Sequence, residues 1–438
     1  MPRIYTKKQS KKARRNWGMN EWKESRIDFA VTTFAGGTPN RSREDYFNGD
    51  IPWISSGEVN QSYIKKTREH ITLLGLENSS ARWIPEGAVL IAMYGATAGQ
   101  VSKLKIRATA NQAVLALLPN EKIIDKDFLY HLMNVEKERI LYFAQGSGQP
   151  NLSKSLIDRY NISYPESKQK QTKIAHILDT LDNSIEQTQF AIAKYKAIKQ
   201  GFLHDLFTRG LDGNGKLRPS YEDSPELYKE SELGFIPKEW EVKRLEEIAF
   251  VNPPTNLPSI FNSKTQVTFL KMEDVSNGGS IINNGSLPIQ SIQKRGFTLF
   301  QENDILFAKI TPCMENGKGA LAINLHNGIG YGSTEFHVFR PRNKKSIPFV
   351  YFLSVSSKFR LQAESQMTGS AGQQRVSTKY LVNYQIAAPP LDEQFQIGVR
   401  LNNIENKIRA EEILLQKYQS IKRGLMGDLL GGKKELRE

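Results

Sequence analysis

KYKAIKQGFLHDLF at 194–207 and KYQSIKRGLMGDLL at 417–430 align without a gap at a displacement of 223 residues and share seven of fourteen positions. Moving back at the same displacement, Ile174, Leu178, Leu181 and Ile185 fall on Ile397, Leu401, Ile404 and Ile408, so the hydrophobic period is copied along with the letters. From Lys168 to Phe207, and again from Asp392 to Leu430, proline is absent, glycine is scarce and apolar residues recur every three or four positions. That pattern predicts two long helices. Further upstream, NLSKSLIDRYNISYP at 151–165 faces RVSTKYLVNYQIAAP at 375–389, with Ser153/Ser377, Tyr160/Tyr384, Ile162/Ile386 and Pro165/Pro389 in common. IPEGAVLIA at 84–92 resembles FQENDILFA at 300–308, and Trp22 with Arg26 resembles Trp240 with Arg244. The chain is a tandem duplication in which each copy is a variable domain followed by a helix that varies less.

Short apolar runs bounded by Gly, Pro or Asn, such as AVLIAMY, NQAVLALLP, DILFAKI and TEFHVFRP, read as strands. The expected fold class is therefore α+β: two mixed α/β domains separated by two long helices, which form an antiparallel coiled coil if the repeat relates the halves by a pseudo-two-fold axis. The expected boundaries are a basic arm at 1–20, a first domain at 21–166, a central helix at 167–208, a linker at 209–236, a second domain at 237–390 and a C-terminal helix at 391–431. The linker assignment rests on the Gly, Pro and charge content of GLDGNGKLRPSYEDSPELYKESELGFIPKEW at 210–240. A helix of about forty residues extends roughly 60 Å, which suits a spacer. Its expected seam is Ile174, Leu181, Tyr195, Ile198 and Phe202 against Ile397, Ile404, Tyr418, Ile421 and Leu425. Leu178, Ile185 and Ile192, with Leu401, Ile408 and Leu415, add a flanking row for which partner helices are the expected cover.

The 438 residues carry 60 basic and 46 acidic side chains, a net charge of +14, and half of that excess lies in the first twenty residues, which hold no acid. An arm of that kind suits a polyanion but does not by itself establish one. A mean hydropathy of -0.48 excludes a membrane-embedded chain. No run approaches the roughly 20 apolar residues of a spanning helix, and no export signal is visible, so a cytoplasmic location is expected. One cysteine, Cys313, and six scattered histidines offer neither an internal disulfide nor zinc-ligand spacing. Phosphate-loop and metal-nuclease patterns are missing as well.

With these blocks in view, the chain resembles the specificity subunit of type I restriction-modification systems. The resemblance covers nearly the whole length and rests on the paired helical blocks, the openings EWKESRI and EWEVKRL, the GDIPWISSGEVN and GATAGQ stretches and the LGFIPKEW entry to the second copy. It implies two target recognition domains that each read one part of a bipartite, asymmetric double-stranded DNA sequence. It also implies an adaptor without catalytic residues, around which two methyltransferase subunits and the motor-nuclease restriction subunits assemble. Sites for S-adenosylmethionine, ATP and magnesium would then lie on those partners.

Two rival readings are a stand-alone S-adenosylmethionine-dependent adenine methyltransferase and a protein-interaction rod without DNA function. NPPT at 252–255 approaches the NPP-aromatic motif of amino-methyltransferases, but Thr255 offers no ring to stack on a flipped base. FAGGTP at 34–39 lacks the strand-turn-helix setting of a cofactor loop and reads as loop geometry. DNA contacts are expected from polar loops bordering apolar strands. In the first domain these are Thr38, Asn40, Arg41 and Arg43 of TPNRSR, and Tyr94, Thr97, Gln100 and Lys103 of YGATAGQVSK. In the second they are Lys309, Thr311, Asn316 and Lys318, which follow the DILFA strand as YGATAG follows VLIAM. GSGQPN at 146–151 and GSAGQQR at 369–375 occupy matching places and are further candidates for backbone contact with phosphate.

Overall fold

A computed structural model describes residues 22–144, 151–292, 296–370 and 372–432. The basic arm and most of GSGQPN lie outside the described residues. Two long helices form as the periodicity requires, Lys168–Thr208 with 41 residues and Leu391–Leu425 with 35 residues. The chain divides into two compact units, Met1–Gln189 with Ile413–Glu438, and Phe190–Glu412. Both division points fall inside the long helices.

In the first unit a five-stranded sheet is ordered Val31–Ala35, Val114–Pro119, Val89–Ala92, Val101–Leu104, Tyr63–Ile64. Helix Lys126–Ala144 covers one of its faces and a second core with Ile54 and Ile84 covers the other, so Val101–Leu104 is buried at every position and the usual alternation of strand exposure disappears. Phe128, Leu132 and Met133 of that helix share a core with Ile174 and Leu178 of the first long helix and with Leu429 and Leu430 just beyond the second. Burying each such side chain contributes roughly 1.5–3 kcal/mol.

The second unit repeats this plan. Its four-stranded sheet runs Ala249–Val251, Phe336–Pro341, Ile305–Ala308, Gly319–Leu321, antiparallel throughout. The registers correspond: Val31 faces Pro119 as Ala249 faces Pro341, and Val89 faces Leu117 as Ile305 faces Phe339. Each unit is closed by an antiparallel ribbon that brings an early strand to its last one, Trp22–Arg26 with Asn161–Pro165 and Glu241–Arg244 with Gln385–Ala388. The chain turns out of the ribbon through the same bond, Ile27 N to Tyr160 O at 2.9 Å and Leu245 N to Tyr384 O at 2.8 Å. Ser153 and Ser377 cap the following short helices through their hydroxyls, at 3.2 Å to the amides of Leu156 and Tyr380. Buried Gln171 and Gln394 each donate to the ribbon's closing proline, Pro165 and Pro389, at 2.8 Å. Each unit also holds a second sheet with one parallel pair, three-stranded about Phe47–Ile54 in the first and four-stranded about Gln266–Leu270 and Ile329–Gly332 in the second.

Within each unit the long helices run antiparallel. In the first, Lys422 pairs with Asp182 while Ile174 and Leu178 reach Leu429 and Leu430. In the second, Lys199 pairs with Glu405 and Leu203 and Leu206 reach Ile397 and Leu401. Ile174, Leu178, Ile397, Leu401 and Ile408 are buried as expected of an apolar stripe. Leu181, Ile185, Tyr195, Ile198, Ile404, Tyr418 and Leu425 are half-buried. Two seam assignments need correction: Phe202 is 37% exposed and Ile421 is 39% exposed. In the second unit Leu203 and Leu206 take the buried positions that strict heptad counting from Tyr195 had given to Phe202. In the flanking row, Leu178 and Leu401 are covered by the chain's own domains, through the cores that hold Phe128 and Phe349, while Ile185 and Leu415 are half-buried.

The segment at 209–236 is not a loose linker. Arg218 forms a forked ion pair with Glu393 of the second long helix at 2.6 and 3.1 Å, and Glu393 also accepts from Trp240 Nε1 at 3.1 Å and Leu211 N at 2.7 Å. Tyr228–Ser231 and Gly234–Pro237 form a hairpin, and Tyr221 stacks on Phe235 at 3.9 Å between ring centres. Its composition is that of a tether, but one buried carboxylate collects its polar groups into a fixed turn.

Candidate nucleic-acid interface

In both units the loop of interest leaves the central sheet strand and returns one strand over. It is closed by corresponding bonds, Ala92 N to Gln100 O at 3.0 Å and Ala308 N to Lys318 O at 3.2 Å. Its first residue is clamped from both sides in each copy. Met93 bonds the backbones of Ala113 and Leu152, and Lys309 bonds those of Glu335 and Val376. The two loops are therefore equivalent, and the one in the second unit is two residues longer.

In the first unit Tyr94 is 41% exposed at the loop tip, Gln100 is half-buried, and Thr97 donates to Ser56 O at 3.0 Å. Lys103 departs from the expectation. Its side chain is 5% exposed and pairs with Asp127 of the covering helix, so it does not face an incoming phosphate. Burial pushes Asp179 upward, but His131, bonded to it at 2.8 Å, and Lys103 outweigh that and hold its carboxyl below the usual range. His131 Nδ1 lies 4.0 Å from Asp182, which is paired with Lys422. His131, Asp179 and Asp182 offer metal-ligand atoms close together. Lys103, which pairs with Asp127 and lies 3.9 Å from Asp179, and Lys422 on Asp182 tie this cluster into a polar joint between the domain and the long helices.

The TPNRSR segment is an exposed loop whose glycine neighbours are required by close packing. A Cβ on Gly36 would sit 2.2 Å from Ala110 O, and one on Gly37 would sit 2.3 Å from Ala81 N. FAGGTP is thus loop geometry. Thr38 donates to Gln112, and Asn40 accepts from Ser42 N at 3.0 Å. Arg41 lies over Phe47 and Trp53 at 4.7 and 4.9 Å and is held by Glu69 at 2.6 Å. Arg43 lies over Tyr46 at 4.8 Å and is held by Asp45, whose carboxyl the guanidinium keeps below the usual range. Both guanidinium groups lie at the surface with their forks engaged by these carboxylates, Arg41 through Nη1 and Nη2 and Arg43 through Nε and Nη2.

In the second unit Lys309 is half-buried and Asn316 is exposed. Thr311 exchanges bonds with Gln374 at 3.1 and 3.2 Å, and the Lys318 ammonium donates to Met272 O at 2.9 Å. Lys318 is therefore committed to holding the loop. Arg375, in a segment expected to act through its backbone, uses its side chain instead, forking onto Glu335 at 2.9 and 3.0 Å beside Lys309 and keeping that carboxyl low. Sequence reasoning missed Arg360, 6% exposed, whose guanidinium burial lowers to about 9. No motif or period marks a buried arginine, so no sequence signal was available for it. Asn252 of NPPT has φ of 51° and is fully engaged, accepting from Val338 N at 3.0 Å and donating to His337 at 2.9 Å.

Two equivalent sheets, two equivalent loops with different contents and one helix pair duplicated with its ion pair are the marks of a repeat that kept its frame and changed its surface. The sequence matches the type I restriction modification DNA specificity domain over residues 19–194 and again over 237–422. The chain belongs to this family. Among the family's members, the chain is similar to the EcoAI type I restriction enzyme specificity subunit of Escherichia coli, 34% identical over 213 residues, which is 47% of this chain and 35% of that subunit. It is 24% identical over 421 residues to the MjaVIII specificity subunit of Methanocaldococcus jannaschii, covering 94% of this chain and 93% of that one. The chain thus spans about a third of the first relative and nearly all of the second. Its fold resembles the crystal structure of the type I restriction-modification S subunit from M. genitalium, with a TM-score of 0.59, 15% identity and coverage of 95% and 97%.

Proposed function

We infer that the chain is the DNA sequence-specificity subunit of a type I restriction-modification complex. The observation that carries this is the double family match laid over two units with equivalent frames and unlike loops. Each domain reads one part of a bipartite, asymmetric duplex site, and the long helices carry two methyltransferase subunits, which the restriction subunits join. Methyl transfer, ATP-driven movement and cleavage take place on those partners, and S-adenosylmethionine, ATP and magnesium bind there. In this reading the protein works in the cytoplasm, where the DNA is.

The test is genome-wide mapping of methylated adenines in cells that hold the cognate methyltransferase, with and without this chain. A split motif present with the chain and lost on its deletion is the expected result. Tight binding of S-adenosylmethionine to the isolated chain, or a methylation pattern indifferent to its deletion, would overturn the reading.

A further inference from the structure

Arg360 lies on helix Ser357–Glu364 with only 6% of its surface exposed, and among the described residues no carboxylate pairs with it. Its acceptors are all backbone carbonyls. Nε donates to Ser354 at 2.7 Å, Nη1 to Met314 at 3.0 Å and Nη2 to Lys318 at 3.1 Å, while the guanidinium plane lies 4.2 Å from the centre of the Phe307 ring. A buried cation without a counter-ion is costly, and an apolar side chain of similar volume ordinarily serves stability better. What an apolar chain, or a lysine with its single point of charge, cannot do is hold two carbonyls at once in a fixed fork.

Those two carbonyls bracket Glu315, Asn316 and Gly317, the tip of the loop that carries Lys309 and Thr311. Glu315 and Asn316 are exposed. Gly317 has φ of 75°, and a Cβ there would sit 2.9 Å from Asn277 O, so the tip is closed from its other side as well. Among the described residues no guanidinium grips the equivalent loop of the first unit, whose Gly99 packs directly on Leu141, with that side chain 2.7 Å from an added Cβ. The two copies share the loop's frame and differ in the means that sets its tip.

We propose that Arg360 is a positioning residue for DNA reading by the second domain, fixing the Glu315–Gly317 tip through the carbonyls of Met314 and Lys318 so that Asn316 meets its half of the site. The proposal rests on the function inferred above. Arg360→Lys keeps the charge and loses the fork, and Arg360→Met keeps the apolar volume and loses both. Each variant is assembled with its methyltransferase subunits, and methylated adenines are mapped genome-wide beside the melting temperature and the recovery of the complex. The expected result is a split motif with one half intact and the other relaxed, sites with one altered base in that half gaining methylation about tenfold, the scale of one lost base contact. Complete loss of methylation in a complex that still assembles and melts as the parent does also supports the proposal. Unchanged motifs, equal relaxation of both halves, failed assembly or a lowered melting temperature with the motif retained would overturn it. A parent complex that yields no split motif sinks the underlying reading instead, so the two failures are distinguishable.

Discussion

Lys422 of the second long helix donates to Asp182 of the first, and the same bond recurs 223 residues away with the helices exchanged, Lys199 of the first donating to Glu405 of the second. The duplication has thus copied an interaction between helices and not merely a pattern along them. The pairs lie beside the two domain cores, where Leu178 and Leu401 anchor each helix to its domain.

Glu405→Lys is expected to lower the unfolding free energy by about 2 kcal/mol, less than the 3–5 kcal/mol of a fully buried pair because Lys199 and Glu405 are 14% and 20% exposed. Adding Lys199→Glu should restore at least half of the loss. Urea denaturation of the single and double variants measures both; a double variant no more stable than the single would show that the contact is not a pair.

Glu393→Ala removes the acceptor shared by Arg218, Trp240 and Leu211, and leaves a guanidinium, its side chain 9% exposed, with Glu239 at 3.5 Å as its remaining carboxylate. A loss of roughly 3 kcal/mol is expected, with new protease cleavage between residues 209 and 236. Resistance equal to that of the parent chain would mean the turn is held by its hairpin alone.

Lys309 and Lys103 were matched candidates in the sequence and separate in the structure. Lys309→Ala should weaken binding to duplex DNA and reduce the slope of log affinity against log salt by about one. Lys103→Met should leave that slope unchanged and instead alter thermal stability, since Lys103 is sequestered against Asp127. Fluorescence anisotropy of the assembled complex across a salt series separates the two effects.

His337 is 4% exposed, and burial pulls it from 6.5 down to about 4 despite its bond to Val376 O at 2.8 Å. The unfolded chain therefore binds the proton first. The stability associated with neutral His337 is fully present above pH 6.5 and declines as pH falls toward 4, by up to about 3 kcal/mol. Unfolding measured between pH 7 and 4 should show this slope in the parent and a shallower one in His337→Gln; parallel profiles would remove His337 as its source.

The duplication, the long helices and the strands beside the candidate loops were legible because each is a matter of local period or of internal comparison. Phe202 was misplaced because a heptad count assumes two helices alone, whereas the domain cores draw Leu203 and Leu206 inward. Lys103 was misplaced because a strand covered on both faces does not alternate, and a lysine can be buried there only by the partners that Asp127 and Asp179 provide from distant sequence. The segment at 209–236 looked like a tether because its organiser, Glu393, lies far along the chain. Of the candidate interface, position within the frame was readable; which cations remain available to DNA depended on pairings that only the folded chain reveals.

The acceptors gripped by Arg360 belong to the main chain, which every amino acid supplies alike. Substitutions at Glu315 or Asn316 would leave that anchorage untouched, so the letters displayed at the tip can be rewritten while the platform beneath them stays in place.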